Sequence, residues 1–362
     1  MVENIASKEN YVRFFQSIWN HNKARGLAAQ ARLDKEFNDG IFKNCYQKIF
    51  SGCWMLSPRW LDHHRTRFSV FVHPRLVRSM KSEYDPIQLL QDKGRPFFAI
   101  AEYLKNAGLG IAYVIPSAEE FNFDNILQKN YVDIKWNIFF YEREKLVRKD
   151  IVKFFDLWSG RGIPRFNKQG WEDGSIQQMF WEIDDRKLES MFLNELFYTG
   201  YLKSIIKKPI NDPYDVDAFI ISLSQKHIFP IEMKEKFPVL TSTERFFGID
   251  AGRIMMLLRL CVPNDSNALY VVRELRDNQR EFVSWKFITL SKIIMTAHWF
   301  SQQGGKGMGG QNTQTIRIPY DEFEILEERT FDEDNLQKIS NLPEQVKNMA
   351  ARYMIELEKR FL

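Results

Sequence analysis

Cysteine is scarce in this chain, and long apolar runs are lacking. The 362 residues include only three cysteines, Cys45, Cys53 and Cys261, and their spacing does not match that of a metal site. A zinc site or a disulfide scaffold is therefore not expected, and the cysteine usage fits a reducing compartment. The chain opens without a secretory signal and has no uncharged apolar segment long enough to cross a bilayer, so we expect a cytoplasmic protein with no membrane partner.

A strong charge of one sign is lacking too. Lysine and arginine number 51 against 47 acidic residues, which gives a net charge of +4. This balance permits binding to nucleic acid but does not require it, so local clusters must decide the function. With 44% hydrophobic residues, the chain can bury one large core or two smaller ones.

Two apolar segments around a short polar turn predict a β-hairpin. Residues 214–223 are rich in β-branched and aromatic side chains, the sequence Ser-Gln-Lys-His follows, and the apolar pattern resumes at Ile228. Side chains alternate along a strand, so Glu232 and Lys234 share one face. Asp217 joins that face only if the turn has an even length. A two-residue turn sets Asp217 opposite Glu232, and a four-residue turn sets it opposite Lys234.

Two acids and a lysine on one face favour metal-assisted phosphodiester chemistry. Mg²⁺ takes oxygen ligands and keeps several waters, so one or two carboxylates with substrate phosphate oxygens can hold it. Asp217 and Glu232 are the candidate ligands, together with the carbonyl of Met233. The ammonium of Lys234 can orient the attacking water and offset charge on the phosphate.

The pair of motifs resembles the PD-(D/E)xK nuclease superfamily, which has an acid on one strand and Glu-x-Lys on the next. Here Glu232-Met-Lys234 supplies the second half. The first half reads Tyr-Asp-Val-Asp rather than Pro-Asp, so Asp215 competes with Asp217 as the ligand. Pro230 is a further departure, because proline is disfavoured in a central strand. The resemblance implies an α+β fold (α/β-type core), with a mixed β-sheet flanked by helices in a restriction-endonuclease-like core and a larger N-terminal elaboration.

The superfamily also implies the neighbouring elements. A helix with a supporting glutamate precedes the first strand, and residues 185–206 match it with Glu195. A second helix is expected over residues 242–260, capped by Thr243 or Asp250, with strands at 268–275 and 281–290 after it. We therefore divide the chain into a DNA-recognition region (1–180), a nuclease core (181–330) and a helical tail that packs on the core (331–362).

Candidate DNA contacts come from basic residues outside the hairpin. Arginines can bind phosphates or read guanine edges, and glycines let the backbone approach a ligand. The alternatives are a solvated positive face, an ordinary linker, a flexible loop and, for Arg253, a helical pair with Asp250. The glycine-rich segment around Lys306 lacks the serine or threonine of a P-loop. The candidates are Arg65, Arg67, Arg75, Arg161, Arg165, Lys168, Arg253 and Lys306.

The resemblance implies a Mg²⁺-dependent type II restriction endonuclease that cuts double-stranded DNA at a short specific sequence. It further implies a homodimer and a companion DNA methyltransferase. Two other functions stay open: a DNA repair or junction-resolving nuclease, and a catalytically silent DNA-binding protein on the same fold. A half-exposed hairpin whose polar groups merely face water is the structural alternative.

Overall fold

The computed structural model describes residues 6–19, 21–38, 40, 46–56, 70–74, 95–116, 121–132, 134–143, 145–156, 174–205, 214–222, 224, 227–276, 281–303 and 314–361. The chain divides into two compact units. The first contains residues 1–35 and 51–216, and the second contains residues 36–50 and 217–362. This division follows residue 216, whereas the sequence analysis drew its domain boundary after residue 180.

Helices dominate the first unit. Ser7 caps the first of them by accepting a hydrogen bond from the Asn10 amide, and Asp184 caps the last α-helix in the same way through Arg186. The predicted helix over 185–206 is present, but it changes to a π-helix after Glu195. The helices are α1 (Lys8–Ile18), α2 (His21–Asn38, which ends in the second unit), α3 (Arg95–Asn106), α4 (Phe123–Leu127), α5 (Ile151–Asp156), α6 (Gly174–Trp181), α7 (Asp185–Glu195) and the π-helix Leu196–Ile205.

The sheet of the first unit is mixed. Its strands β2 and β3 are parallel, and its other neighbours are antiparallel. Strand β3 is buried along nearly its whole length, as expected for a strand with apolar side chains on both faces. The strands, in spatial order, are β1 (Tyr46–Leu56, which begins in the second unit), β2 (Val70–Pro74), β3 (Gly110–Pro116), β4 (Trp136–Glu142) and β5 (Lys145–Lys149).

Aromatic side chains fill the core of the first unit. Phe15 stacks on Trp19 at a ring-centroid distance of 4.1 Å, and Phe14 meets Phe192 edge to face at 4.8 Å. The contact between Phe14 and Phe192 joins α1 to α7, because the apolar residues of each helix recur at helical spacing on one face. The N-terminal helices therefore belong to the fold of the first unit.

A set of five neighbouring strands with both parallel and antiparallel pairs lies mainly in the second unit. Strands β6 and β7 form the predicted antiparallel hairpin, and β10 runs parallel to β7. Pro230 pairs with Phe219 but precedes Ile231, where the ladder to β10 begins, so its missing N–H removes no bond from that ladder. The strands, in spatial order, are β14 (Glu324–Ile325), β11 (Glu281–Thr289), β10 (Leu269–Arg276), β7 (Ile228–Lys236) and β6 (Tyr214–Ser222, whose first residues belong to the first unit).

A four-stranded antiparallel sheet accompanies it, and here one expectation was wrong. Residues 245–250, predicted as the first half of a helix, form a strand that pairs with residues 315–319. The helix begins only at Ala251, and Asp250 caps it, as one of the two predicted caps. The strands, in spatial order, are β12 (His298–Gln303), β13 (Gln314–Pro319), β9 (Arg245–Asp250) and β8 (Val239–Leu240).

The helices of the second unit follow its strands. In the C-terminal helix, the side chains of Val346 and Ala350 are buried. Across the described ranges, no helix combines the length and apolarity needed to cross a membrane. The helices are α8 (Ala251–Cys261), α9 (Leu290–Thr296), α10 (Glu333–Ser340) and α11 (Glu344–Phe361), with 3₁₀ turns at Val262–Asn264, Tyr320–Glu322 and Glu328–Phe331.

Candidate active site

The register of the β6–β7 hairpin meets the requirement for an even turn. Ile221 pairs with Ile228, and Ala218 pairs with Ile231. Six residues, 222–227, thus separate the last paired positions, and continuing the register by one residue sets Asp217 opposite Glu232. This is the register predicted for a two-residue turn, and the Ser222 amide continues it by donating to the carbonyl of His227 at 3.0 Å. A shift of one residue would have turned Asp217 to the other face of the sheet.

Asp217 lies where the two strands stop pairing. The ladder between β6 and β7 ends at the Ala218–Ile231 pair, one position short of Asp217. Beyond it, the backbone N–H of Met233 donates to Oδ2 of Asp217 over 2.6 Å. A buried N–H needs an acceptor, so the carboxylate replaces the missing ladder bond and is fixed in turn. Asp215 is also in β6, but its side chain lies outside the described residues.

Glu232 is the centre of the site. Its carboxylate is 0% exposed in the middle of β7, and its two oxygens face two cations. Nζ of Lys234 lies 2.6 Å from Oε1, and Nη1 of Arg253 lies 3.7 Å from Oε2. These are ion pairs; neither oxygen accepts a hydrogen bond of regular geometry from the described residues. Burying a carboxylate costs free energy unless cations or hydrogen bonds compensate its charge. Buried charged groups of this kind are typical of functional sites.

The start of α8 brings Arg253 to this carboxylate. Asp250 ends β9 and accepts a hydrogen bond from the Gly252 amide at 2.7 Å, which fixes the first turn of the helix. Arg253 follows in that turn and extends to Glu232. The candidate DNA contact Arg253 therefore joins the predicted acids and lysine, and it contacts more than a helical neighbour.

Two side chains at the site were missed by the sequence analysis. Lys236 follows Glu232 and Lys234 at the same two-residue interval on β7, so alternation along the strand could have identified it. Tyr270 stands beside Glu232 in the parallel β7–β10 register, which the sequence does not reveal. Both donate to the carbonyl of Gly248 in β9, Tyr270 at 2.9 Å.

Mutual interactions set the protonation of these groups. Burial lowers the pKa of Lys234, but the charges of Glu232 and Asp217 outweigh it, so the pKa lies above its ordinary value. For Tyr270, burial and the same two carboxylates raise the pKa well above its ordinary value. Burial and the neighbouring Lys234 lower the pKa of Lys236 to about 8. At neutral pH the site therefore contains a charged Lys234 and a neutral tyrosine.

Gly248 allows β9 to approach closely enough for this arrangement. A Cβ atom at this position would lie 2.6 Å from Cγ2 of Thr315, well inside van der Waals contact. Gly248→Ala should therefore lower the free energy of unfolding by about 1–3 kcal/mol through overpacking, measured by urea denaturation. Adding Thr315→Ser removes the clashing methyl group and should restore most of the loss. An unchanged stability in Gly248→Ala would contradict the close contact.

Glu195 belongs to the first unit, at the end of α7. It is buried, and its Oε1 forms an ion pair with Lys23 of α2 at 2.7 Å. The other oxygen is buried without a hydrogen-bond partner among the described residues. The catalytic role inferred for Glu195 from the resemblance stays a prediction.

The other candidate DNA contacts fall outside the described residues. This holds for three positions in the basic segment, three in the glycine-containing loop and one in the glycine-rich segment. They remain predictions from sequence alone. They are Arg65, Arg67, Arg75, Arg161, Arg165, Lys168 and Lys306.

The candidate active site has few groups that could bind a metal ion. In the part of the chain that the structure describes, no group of three or more histidine, cysteine, aspartate or glutamate side chains could hold a metal ion. The site offers two carboxylates, Asp217 and Glu232, and the backbone of Met233. These are hard oxygen donors, and this small number suits Mg²⁺, which completes its shell with water and substrate oxygens.

The chain was compared with protein-family models, curated proteins and solved structures. No protein-family model, curated protein or solved structure matches the chain. Evidence for the function of this chain therefore comes from the geometry of the site.

Proposed function

We propose that this chain is a Mg²⁺-dependent endonuclease with a PD-(D/E)xK core, which hydrolyses phosphodiester bonds of double-stranded DNA at a short specific sequence. One observation carries the proposal: the fully buried Glu232 carboxylate has Lys234 and Arg253 at its two oxygens and Asp217 across the hairpin. A hairpin facing water would leave these groups solvated and far less constrained.

Asp217 and Glu232, with the carbonyl of Met233, would hold the Mg²⁺ ion. Neither Glu232 oxygen has a regular hydrogen bond from the described residues, so the buried carboxylate is suited to a cation. When bound, the ion supplies Lewis-acid polarisation of a phosphoryl oxygen and lowers the pKa of a bound water.

Lys234 acts as a positioned cation. Its pKa lies above the ordinary value, because the two carboxylates outweigh the effect of burial, so it keeps its proton at neutral pH. It can donate hydrogen bonds to the attacking water and to the phosphate, and it offsets negative charge as the phosphorus centre is attacked. Arg253 offers a second cation with planar, bidentate geometry suited to a phosphate.

The order of elements supports the superfamily core. Helical residues 185–205, the hairpin β6–β7, helix α8 and strand β10 follow one another, with β10 parallel to β7. This is the order of helix, strand, strand, helix and strand that the resemblance implies, with β8 and β9 inserted before α8. A homodimer that acts on a palindromic site, and a companion DNA methyltransferase, are parts of the same proposal.

The test is digestion of unmethylated phage DNA by the purified chain, with Mg²⁺ or with EDTA. We expect discrete fragments with Mg²⁺ alone. A smear would favour a nonspecific nuclease, and cutting restricted to branched or damaged DNA would favour a resolving or repair nuclease. Binding without any cutting would favour a silent DNA-binding protein. In each of these cases the restriction proposal fails.

Lys234→Ala should lower the cleavage rate by about 10²-fold, because one positioned charge at the reacting phosphate is lost. Lys292→Ala is a matched control. Lys292 is 35% exposed, close to the 36% of Lys234, and it pairs with Glu322 and Glu324 on the surface. Single-turnover rates of both variants should be compared with wild type. Equal rates for the two variants would remove Lys234 from the mechanism.

A further inference from the structure

A cavity lies in the same unit as the candidate active site. It has a volume of about 480 Å³ and sits at the carboxyl ends of β7 and β10, where Phe237 and Glu274 line it. Glu274 pairs with Lys236 in the parallel register, as Tyr270 pairs with Glu232. Glu274 lies four positions after Tyr270 on β10, so the cavity begins about 13 Å along the sheet from Glu232. The volume is within the range of pockets that bind small organic ligands.

One wall of the cavity is a fixed aromatic and cationic pair. The hydroxyl of Tyr320 donates to Oε1 of the buried Glu274 at 2.8 Å, and Ser284 donates to the other oxygen at 3.0 Å. These hydrogen bonds fix the ring of Tyr320. The guanidinium of Arg245 lies over this ring, with its central carbon 4.1 Å from the ring centroid. Lys286 lies 4.6 Å from the same centroid. Arg245 is itself exposed to solvent, so its guanidinium is available to a ligand in the cavity.

The cavity lining also includes an exposed apolar side chain. The side chain of Phe237 is 41% exposed, although it is a large aromatic group next to a proline. Arg276 adds a second positive charge at the rim, with an exposed side chain that pairs with Glu281 at 3.2 Å. An accessible aromatic ring combined with arginines is the composition of sites for single-stranded nucleic acid, where bases stack on rings and guanidinium planes.

We propose that this cavity binds one unpaired nucleotide of the DNA substrate. The base stacks between the ring of Phe237 and the guanidinium of Arg245, and the phosphate contacts Arg276. This inference rests on the proposed nuclease function, and it deepens that function. The distance of about 13 Å corresponds to about four base-pair steps at 3.4 Å. A nucleotide would therefore leave the duplex a few positions from the bond that is cut, as other enzymes extrude a base into a pocket.

The test measures binding without cleavage. Fluorescence anisotropy of a labelled single-stranded oligodeoxynucleotide in EDTA gives the Kd of the full chain and its variants. Phe237→Ala should raise the Kd about tenfold through loss of one stacked base. Phe282→Ala is the matched control, because Phe282 is 44% exposed on β11 but does not line the cavity. Its Kd should stay within about twofold of wild type.

Arg245→Lys separates stacking from charge, because lysine keeps the charge but lacks the planar group. We expect a weaker affinity than wild type. Unchanged binding by Phe237→Ala, an equal loss in Phe282→Ala, or no binding of single strands by wild type would each overturn the pocket. If wild type cuts duplex DNA with Mg²⁺ under these outcomes, the nuclease proposal stands and only the pocket fails. Loss of binding in Phe237→Ala without any cutting by wild type would support the pocket and contradict hydrolysis.

Discussion

Glu232→Gln should lower the Mg²⁺-dependent rate of DNA cleavage by about 10³-fold or more. The substitution keeps the size of the side chain but removes a negative charge from the pair of carboxylates proposed to hold Mg²⁺, and a bound metal contributes several kcal/mol of transition-state stabilisation. Glutamine leaves Lys234 and Arg253 beside a neutral group, so the loss reflects charge rather than shape. The measurement is a single-turnover rate at saturating Mg²⁺, with the oligonucleotide Kd measured in parallel.

Glu235→Gln is the matched control for this variant. Glu235 is the next acid along β7, and its side chain pairs with Arg273 at 2.7 Å. Glutamine removes the same charge from the same strand but still offers an oxygen to Arg273. Its cleavage rate should stay within about tenfold of wild type. An equal loss in both variants would assign the effect to folding of β7 and not to the site.

Asp34→Ala should destabilise the first unit by about 3–5 kcal/mol, which is the usual effect of leaving a buried charge without its partner. Asp34 and Lys187 form a close ion pair between α2 and α7, and both side chains are largely buried. Burial lowers the pKa of Lys187, and loss of the carboxylate removes a charge that opposes this effect. Urea denaturation followed by circular dichroism measures the loss.

The pH dependence of Asp34→Ala has a defined sign. With a folded-state pKa below the ordinary value of 10.5, the unfolded state binds more protons over the interval between the two values. The stability of the variant should therefore increase as pH rises from about 7 towards 10. Asp34→Leu combined with Lys187→Met removes both charges and should cost less than Asp34→Ala alone. A loss below about 1 kcal/mol in Asp34→Ala would show that the pair carries little buried charge.

The hairpin of the site could be predicted because its information is local. Alternation along 228–236 puts Glu232 and Lys234 on one face, and the even turn brings Asp217 to them. The observed register is the one predicted for the shorter of the two even turns. Any turn with an even number of residues keeps Asp217 on the face of Glu232 and Lys234, whatever its exact length.

Strand β9 could not be predicted in this way. Its sequence, Arg-Phe-Phe-Gly-Ile-Asp, carries apolar residues that suit either a helix face or a strand. Its ladder partners at 315–319 are remote in the chain, so the interaction that decides for a strand is invisible locally. The same reason hides Tyr270, whose position beside Glu232 depends on the parallel register of β7 and β10. The local sequence pattern predicts which side chains share a face of a strand, whereas pairing between strands remote in the chain decides which strands lie side by side.

The short separation of Glu232 and Lys234 also bears on how the site folds. Moving a lone carboxylate into the interior would be a costly step for a forming sheet. Here the strand that buries Glu232 carries its own counter-ion two residues away, and closing so short a loop loses little chain entropy. Arg253 is separated from Glu232 in the chain by β8, β9 and the first turn of α8, so forming this pair closes a longer loop and costs more chain entropy. The local pair with Lys234 therefore costs less chain entropy to form than the pair with Arg253.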